Sequence, residues 1–161
     1  MARERPRWRG ILEVLGALGV MGGLLLVVVE VRQANRIATA QVVMDLGAAA
    51  NQINSARFGD PEVARLIMML GRGEGAELTA VDSSRVEGLA YHIHNILWSA
   101  QTAHDSGILR LADLDNYRND LAITLEGWPG IVPHLLQIYD TQPGKKSAYV
   151  FVPLAELANS Q

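Results

Sequence analysis

Four histidines, a few closely spaced carboxylates and one glycine-rich loop are where this 161-residue chain has residues fit for chemistry. A metal held by one helix needs ligands three or four residues apart, on a single face. His92 and His94 are two apart, which on a helix aims them about 200° from each other. His104 lies ten residues beyond His94, His134 falls on a different element, and no H-E-x-x-H pattern occurs. The histidines therefore read as satisfied polar or surface side chains. A nucleophile has no better setting. There is no G-x-S-x-G, and Ser83-Ser84 falls at a helix start. "GRGEG" lacks the preceding strand and the Lys-Ser/Thr that would cradle a phosphate. Asp113 and Asp115 stand at another helix start, where carboxylates favour the dipole. With no cysteine in the chain, disulfides and thiolate metal sites are excluded. The residues predict no catalytic, metal or cofactor site, and a protein that is not an enzyme.

Charge narrows the partners. Six arginines against three glutamates leave residues 1–36 at +3; eight basic against fourteen acidic side chains leave the remainder at −6. A folded nucleic-acid binder carries a basic footprint, so nucleic acid is not an expected partner. Aromatic residues make up only 6% of the chain, which favours helices over sheets.

The remaining charged residue that asks for an explanation is Glu30, at the end of "LLLVVVE". From Val14 to Val29 no charge interrupts the chain, and Ile11–Val31 contains only Glu13 and Glu30, near its two ends. A helix over those 21 residues rises about 31 Å, matching the roughly 30 Å hydrocarbon core of a bilayer. The expectation is a transmembrane helix at 11–31, after a basic tail at 1–10. Arg7, Trp8, Arg9, Arg32 and Arg36 would anchor it at the lipid headgroups. Two other readings compete with this one. A signal peptide cut after "ATA" at Ala38–Ala40 places Arg32 and Arg36 wrongly, and a buried core helix asks too much of one small domain. Arginine density before the span favours a cytoplasmic N-terminus and a periplasmic C-terminal domain.

One face of that helix is made of small residues. Gly16, Gly19 and Gly23 lie within about 40° of the direction of Glu30, and Gly19-x-x-x-Gly23 is a spacing that lets membrane helices approach closely. Glu30 has Gln33 and Ala34 at the positions where a local cation would pair with it. Gly16, Gly19, Gly23 and Glu30 are thus the expected packing face, turned toward another membrane subunit or a second copy.

Further elements follow from local signals. No Gly or Pro stands between Glu30 and Asp45, so the helix is predicted to continue to Phe58 as an amphipathic stretch, 32–58. Val42, Leu46, Ala49, Ile53 and Ala56 form its seam, and helix 80–104 is its expected main neighbour. "FGDPEVARL" reads as stop and restart: Gly59 ends one helix, Asp60 caps the next and Pro61 opens it. Val63, Leu66, Ile67 and Leu70 make the stripe of that second helix, and "GRGEGAE" a loop. Thr79 with Asp82 resembles a capping box before a helix at 80–104, with Val86, Leu89, Ile93, Leu97 and Ala100 inward. Asp105-Ser106-Gly107 stops it. A helix at 112–125 with Leu114, Leu121 and Leu125 inward, a turn at "EGWPG", a short helix at 131–139 and a loop at "TQPGKK" complete residues 59–146, the larger part of the remaining helical domain at 59–161. In "SAYVFVPLAELANS" the β-branched run favours a strand, while Pro153 suits a helix start.

The fold expected is all-α: one N-terminal transmembrane helix continuing into a small bundle of four to five soluble helices. At "LLVVVEVRQANRIATAQ", with Arg32, Gln33, Asn35 and Arg36, the chain resembles uncharacterised small bacterial single-pass membrane proteins. These carry an R-Q-x-N-R-like juxtamembrane segment and a C-terminal helical domain. "GDPEVARL" and the later "GIL" before an acidic helix add to the resemblance. It implies the same architecture, a bacterial inner-membrane location and no catalytic residue. The expected function is that of an accessory or structural subunit acting through protein contacts, with membrane lipids and other membrane subunits, or itself, as partners. A membrane-anchored sensor or ligand-binding helical domain is the second reading, favoured by any pocket formed from Tyr91, His94 and Trp98. Those aromatics, with Trp128, otherwise read as core or groove packing. A membrane-anchored enzyme is the third and would need polar groups converging in a cleft.

Overall fold

A computed structural model describes residues 8–74, 78–142, 144 and 147–160, and the backbone but not the side chain of Arg9. The fold is all-α: its helices are α1 (Trp8–Gly59), α2 (Pro61–Gly71), α3 (Ala80–Asp105), α4 (Leu111–Gly127), α5 (Val132–Thr141) and α6 (Val152–Ser160). Short 3-10 turns, Pro129–Ile131 and Tyr149–Phe151, lead into α5 and α6. No strand occurs among the described residues. The chain divides into two compact units, Met1–Ala40 and Gln41–Gln161.

α1 runs for 52 residues. No proline stands between Pro6 and Pro61, so no backbone donor is lost along it. Its end is local chemistry. Asp60 adopts an extended conformation, and its Oδ1 accepts hydrogen bonds from the Glu62 and Val63 amides at 2.8 and 3.4 Å. Pro61 then opens α2, where a missing N–H costs nothing.

The second unit is built around α3. Asp82, Val86, Ala90, Ile93, His94, Leu97, Ala100, Gln101 and Ala103 are all buried, an arc of about half the helix circumference. The predicted core face of α3 is present, but Ala90, His94, Gln101 and Ala103 widen it. That width lets α3 meet several neighbours at once. Its backbone comes closest to α5, α4 and the Tyr149–Phe151 turn. Residues 40–58 also lie against it, with the His92 ring reaching the Ala49 carbonyl. The seam residues Val42, Leu46, Ala49, Ile53 and Ala56 turn inward, with Leu46 buried. Gly107 closes α3 in the left-handed region, φ 73°, with its amide donating to the His104 carbonyl at 2.8 Å.

The ambiguous tail is resolved as helix. Val150 and Phe151 are fully buried in the 3-10 turn and Leu154 in α6. The β-branched run serves burial here, and Pro153 sits in the first turn of α6, where its ring is tolerated. "EGWPG" begins inside α4, and only Trp128 leaves the helical conformation before the next turn. Much of "GRGEGAE" and "TQPGKK", at 75–77, 143, 145 and 146, lies outside the described residues.

The closest backbone approach accompanying these joints is at Gly130. A Cβ there would stand 3.0 Å from the Leu70 Cα and 3.2 Å from the Leu70 carbonyl oxygen, so α2 and the Pro129–Ile131 turn touch through main chain. Gly130→Ala is expected to destabilise the protein by about 1–3 kcal/mol, the usual cost of overpacking a site that cannot yield. Chemical unfolding followed by circular dichroism reads this, and an unchanged midpoint would show that the joint has slack.

Candidate functional site: an uncovered apolar helix and a groove beside α3

Within the first unit every described side chain from Ile11 to Val31 is exposed, and Leu12, Leu25 and Val20 stand at 66%, 66% and 65%. This one helix is long and apolar enough to cross a membrane. Gly16, Gly19 and Gly23 have open space where a Cβ would stand, so their face is a smooth strip of backbone. Glu30, Arg32 and Arg36 are exposed, as is Trp8 at 74%. Arg7 and the Arg9 side chain lie outside the described residues.

In the second unit the histidines are scattered. The His92 Nε2–H donates to the Ala49 carbonyl at 3.2 Å, a tie between α1 and α3 across 43 residues. His94 is buried and stacked on Phe151, ring centroids 4.9 Å apart and 13° from parallel. His104 Nδ1 lies 2.9 Å from the Leu109 carbonyl oxygen, and His134 is half-buried on α5. No cluster of metal-ligating side chains exists among the described residues. Tyr91, His94 and Trp98 do not converge: Tyr91 is exposed, His94 is deep in the core and Trp98 packs at its edge.

Polar residues that the sequence left unassigned hold helices together. Arg65 bridges Glu62 at 3.1 Å and Asp82 at 2.7 Å, tying α2 to α3. The capping box is only half made. Thr79 Oγ1 accepts from the Asp82 amide, but the Asp82 carboxylate accepts from the Thr79 hydroxyl and from Arg65. An Asp side chain is one methylene shorter than the Glu that completes such a box. The Thr79 hydroxyl and then Arg65, working against burial, hold the Asp82 carboxyl below the usual carboxylate range. Buried Gln101 donates to Asp105 at 2.8 Å and accepts from the Val150 amide at 3.1 Å. Asp113 and Asp115 serve separate ends: Asp113 takes a two-pronged bond from Arg110 at 2.7 and 2.9 Å, and Asp115 accepts from the Tyr149 hydroxyl at 2.5 Å. Arg118 donates to that same hydroxyl at 2.7 Å and lies over the Tyr149 ring. The bond to Asp115 pushes the Tyr149 phenol up. The pairs that join different helices, Arg65–Asp82, Arg118–Tyr149, Asp115–Tyr149 and Gln101–Val150, were not visible from spacing, since their partners stand 17 to 49 residues apart.

Cavities border residues 41–59. One of about 420 Å³ opens between that stretch, α2 and α3. Others of about 320 and 340 Å³ border the same stretch further along. The first has apolar walls of Ile53, Val63, Leu66, Ile67, Val86 and Leu89, with Gln52, Asp60, Arg85 and His92 as its polar groups. Such a mixture of apolar wall and few polar groups suits binding more than bond-breaking chemistry. No protein-family model, curated protein or solved structure matches the chain.

The Arg65–Asp82 tie carries a sign that pH reads. A depressed carboxyl pKa contributes stability that is full above the ordinary carboxylate range and is lost as pH falls below it, through the depressed value. Wild type and Asp82→Asn are therefore expected to differ in unfolding midpoint at neutral pH and to converge in acid. Parallel midpoint-against-pH curves would overturn the assignment.

Proposed function

We propose that the chain is a non-enzymatic, single-pass protein of a bacterial inner membrane, working through protein contacts as an accessory or structural subunit of a larger complex. The observation that carries this reading is the uncovered stretch Ile11–Val31, whose described side chains are all exposed. In water such a surface is far larger than the apolar patches soluble proteins leave open. In lipid it is the ordinary state of a spanning helix of about 20 residues. Arg32 and Arg36, four residues apart, suit lipid phosphates at one end, and Trp8 with Arg7 and Arg9 suits the other. The arginines before the span support a cytoplasmic N-terminus and a periplasmic domain.

The contact surface in this reading is the strip of Gly16, Gly19 and Gly23 with Glu30. Lipid tails are as apolar as leucine, so membrane helices associate through close backbone packing and polar contacts. A carboxylate near the span on the same side favours a partner or a wet surface there over lipid. The likeness of the "RQANR" segment to small bacterial single-pass proteins agrees with this architecture. The second unit then serves as a folded head, its polar residues used mainly to join its helices.

Substituting Gly19 and Gly23 by Ile tests the strip without touching the head. The particle extracted in mild detergent, sized by light scattering, is expected to shrink toward a single chain. Unchanged size would remove the glycine strip as the contact surface.

A further inference from the structure

The cavity of about 420 Å³ between residues 52–60, α2 and α3 has a use that the membrane reading does not supply. We infer that it binds a medium-chain carboxylate, tail between the apolar walls and head on Arg85. Size sets the tail. At about 30 Å³ for a water-sized group, the space accepts roughly a dozen methylene-sized groups, and it falls within the range of small-molecule pockets. The walls are Ile53, Val63 and Leu89 above a floor of buried Leu66, Ile67 and Val86, so an alkyl chain gains contact along its length. Among the described residues none of these walls offers a charge.

The polar groups select the head. Arg85 and His92 are seven residues apart on α3, two turns on one face, with Leu89 between them. No carboxylate of a described residue lies within ion-pairing distance of Arg85. Arg85 lines the cavity, and a guanidinium is a planar fork of donors that matches a carboxylate. Asp60, the acidic group of the lining, turns its Oδ1 to the Glu62 and Val63 amides, where the positive end of α2 offsets its charge. The Nε2–H of His92 is committed to the Ala49 carbonyl. Gln52 brings a neutral amide able to donate a second bond. A cationic head would meet Arg85; an uncharged one would leave it unused. The site is contained in residues 52–92 and stands whether or not α1 crosses a bilayer.

Octanoate is the probe, titrated calorimetrically into the full chain in lipid nanodiscs, or in buffer where the chain disperses without lipid. Empty nanodiscs supply the partition baseline. Saturable one-site binding is expected above that baseline, with octylamine at the same concentration giving none. Arg85 is exposed, so Arg85→Gln keeps the fold, and it is expected to weaken octanoate about tenfold or more, the loss of one charge-assisted bond. Leu89→Trp fills the space and should abolish binding. Absence of saturable uptake, equal binding by Arg85→Gln, or equal binding of octylamine overturns the proposal.

Discussion

The width of the buried arc on α3 is the constraint from which the second unit is built. A helix buried along a narrow stripe has one neighbour. α3 is buried from Asp82 to Ala103 across about half its circumference, so α4, α5 and the Tyr149–Phe151 turn all rest against it. Its small residues make this possible. Ala90, Ala100 and Ala103 let neighbouring backbones come close, while Val86, Ile93 and Leu97 fill the layers between them. Residues 41–59 take what arc remains, through Leu46, Val42 and Ile53. Cavities border this contact.

How much of this was legible depends on the range of the cause. Asp60-Pro61, Thr79 and Gly107 stop or start helices through bonds to residues two to four positions away, and such signals are written in adjacent letters. The 3.6-residue stripes of α2 and α4 are legible for the same reason. The tail was not. "YVF" carries strand propensity, yet no strand edge among the described residues accepts it, and the hydrophobic need of α3 and α4 turns it into a 3-10 turn. Tertiary burial outweighed a local preference of under about 1 kcal/mol per residue.

Site residues divide in the same way. The glycine strip and Glu30 came from periodicity on a single helix and needed no tertiary information. Gln101, Arg65 and Tyr149 have no distinguishing spacing, because their meaning lies in partners from other helices. Arg85 is the instructive case. In sequence it is one arginine near a helix start; in the fold it edges an apolar cavity with no carboxylate of a described residue against it. Its significance comes from what the neighbouring helices fail to supply.

Gln101 and Phe151 also join early-made chain to late-made chain. Gln101 accepts the Val150 amide, and His94 stacks on Phe151, so the centre of α3 is completed by chain made some fifty residues later. On the ribosome, the apolar stretch of α1 emerges and commits to its environment while α3 still shows an open apolar flank. Until Val150, Phe151 and Leu154 arrive, that flank is exposed to any hydrophobic surface nearby. The vulnerable period in the life of this protein is therefore the interval between making α3 and covering it.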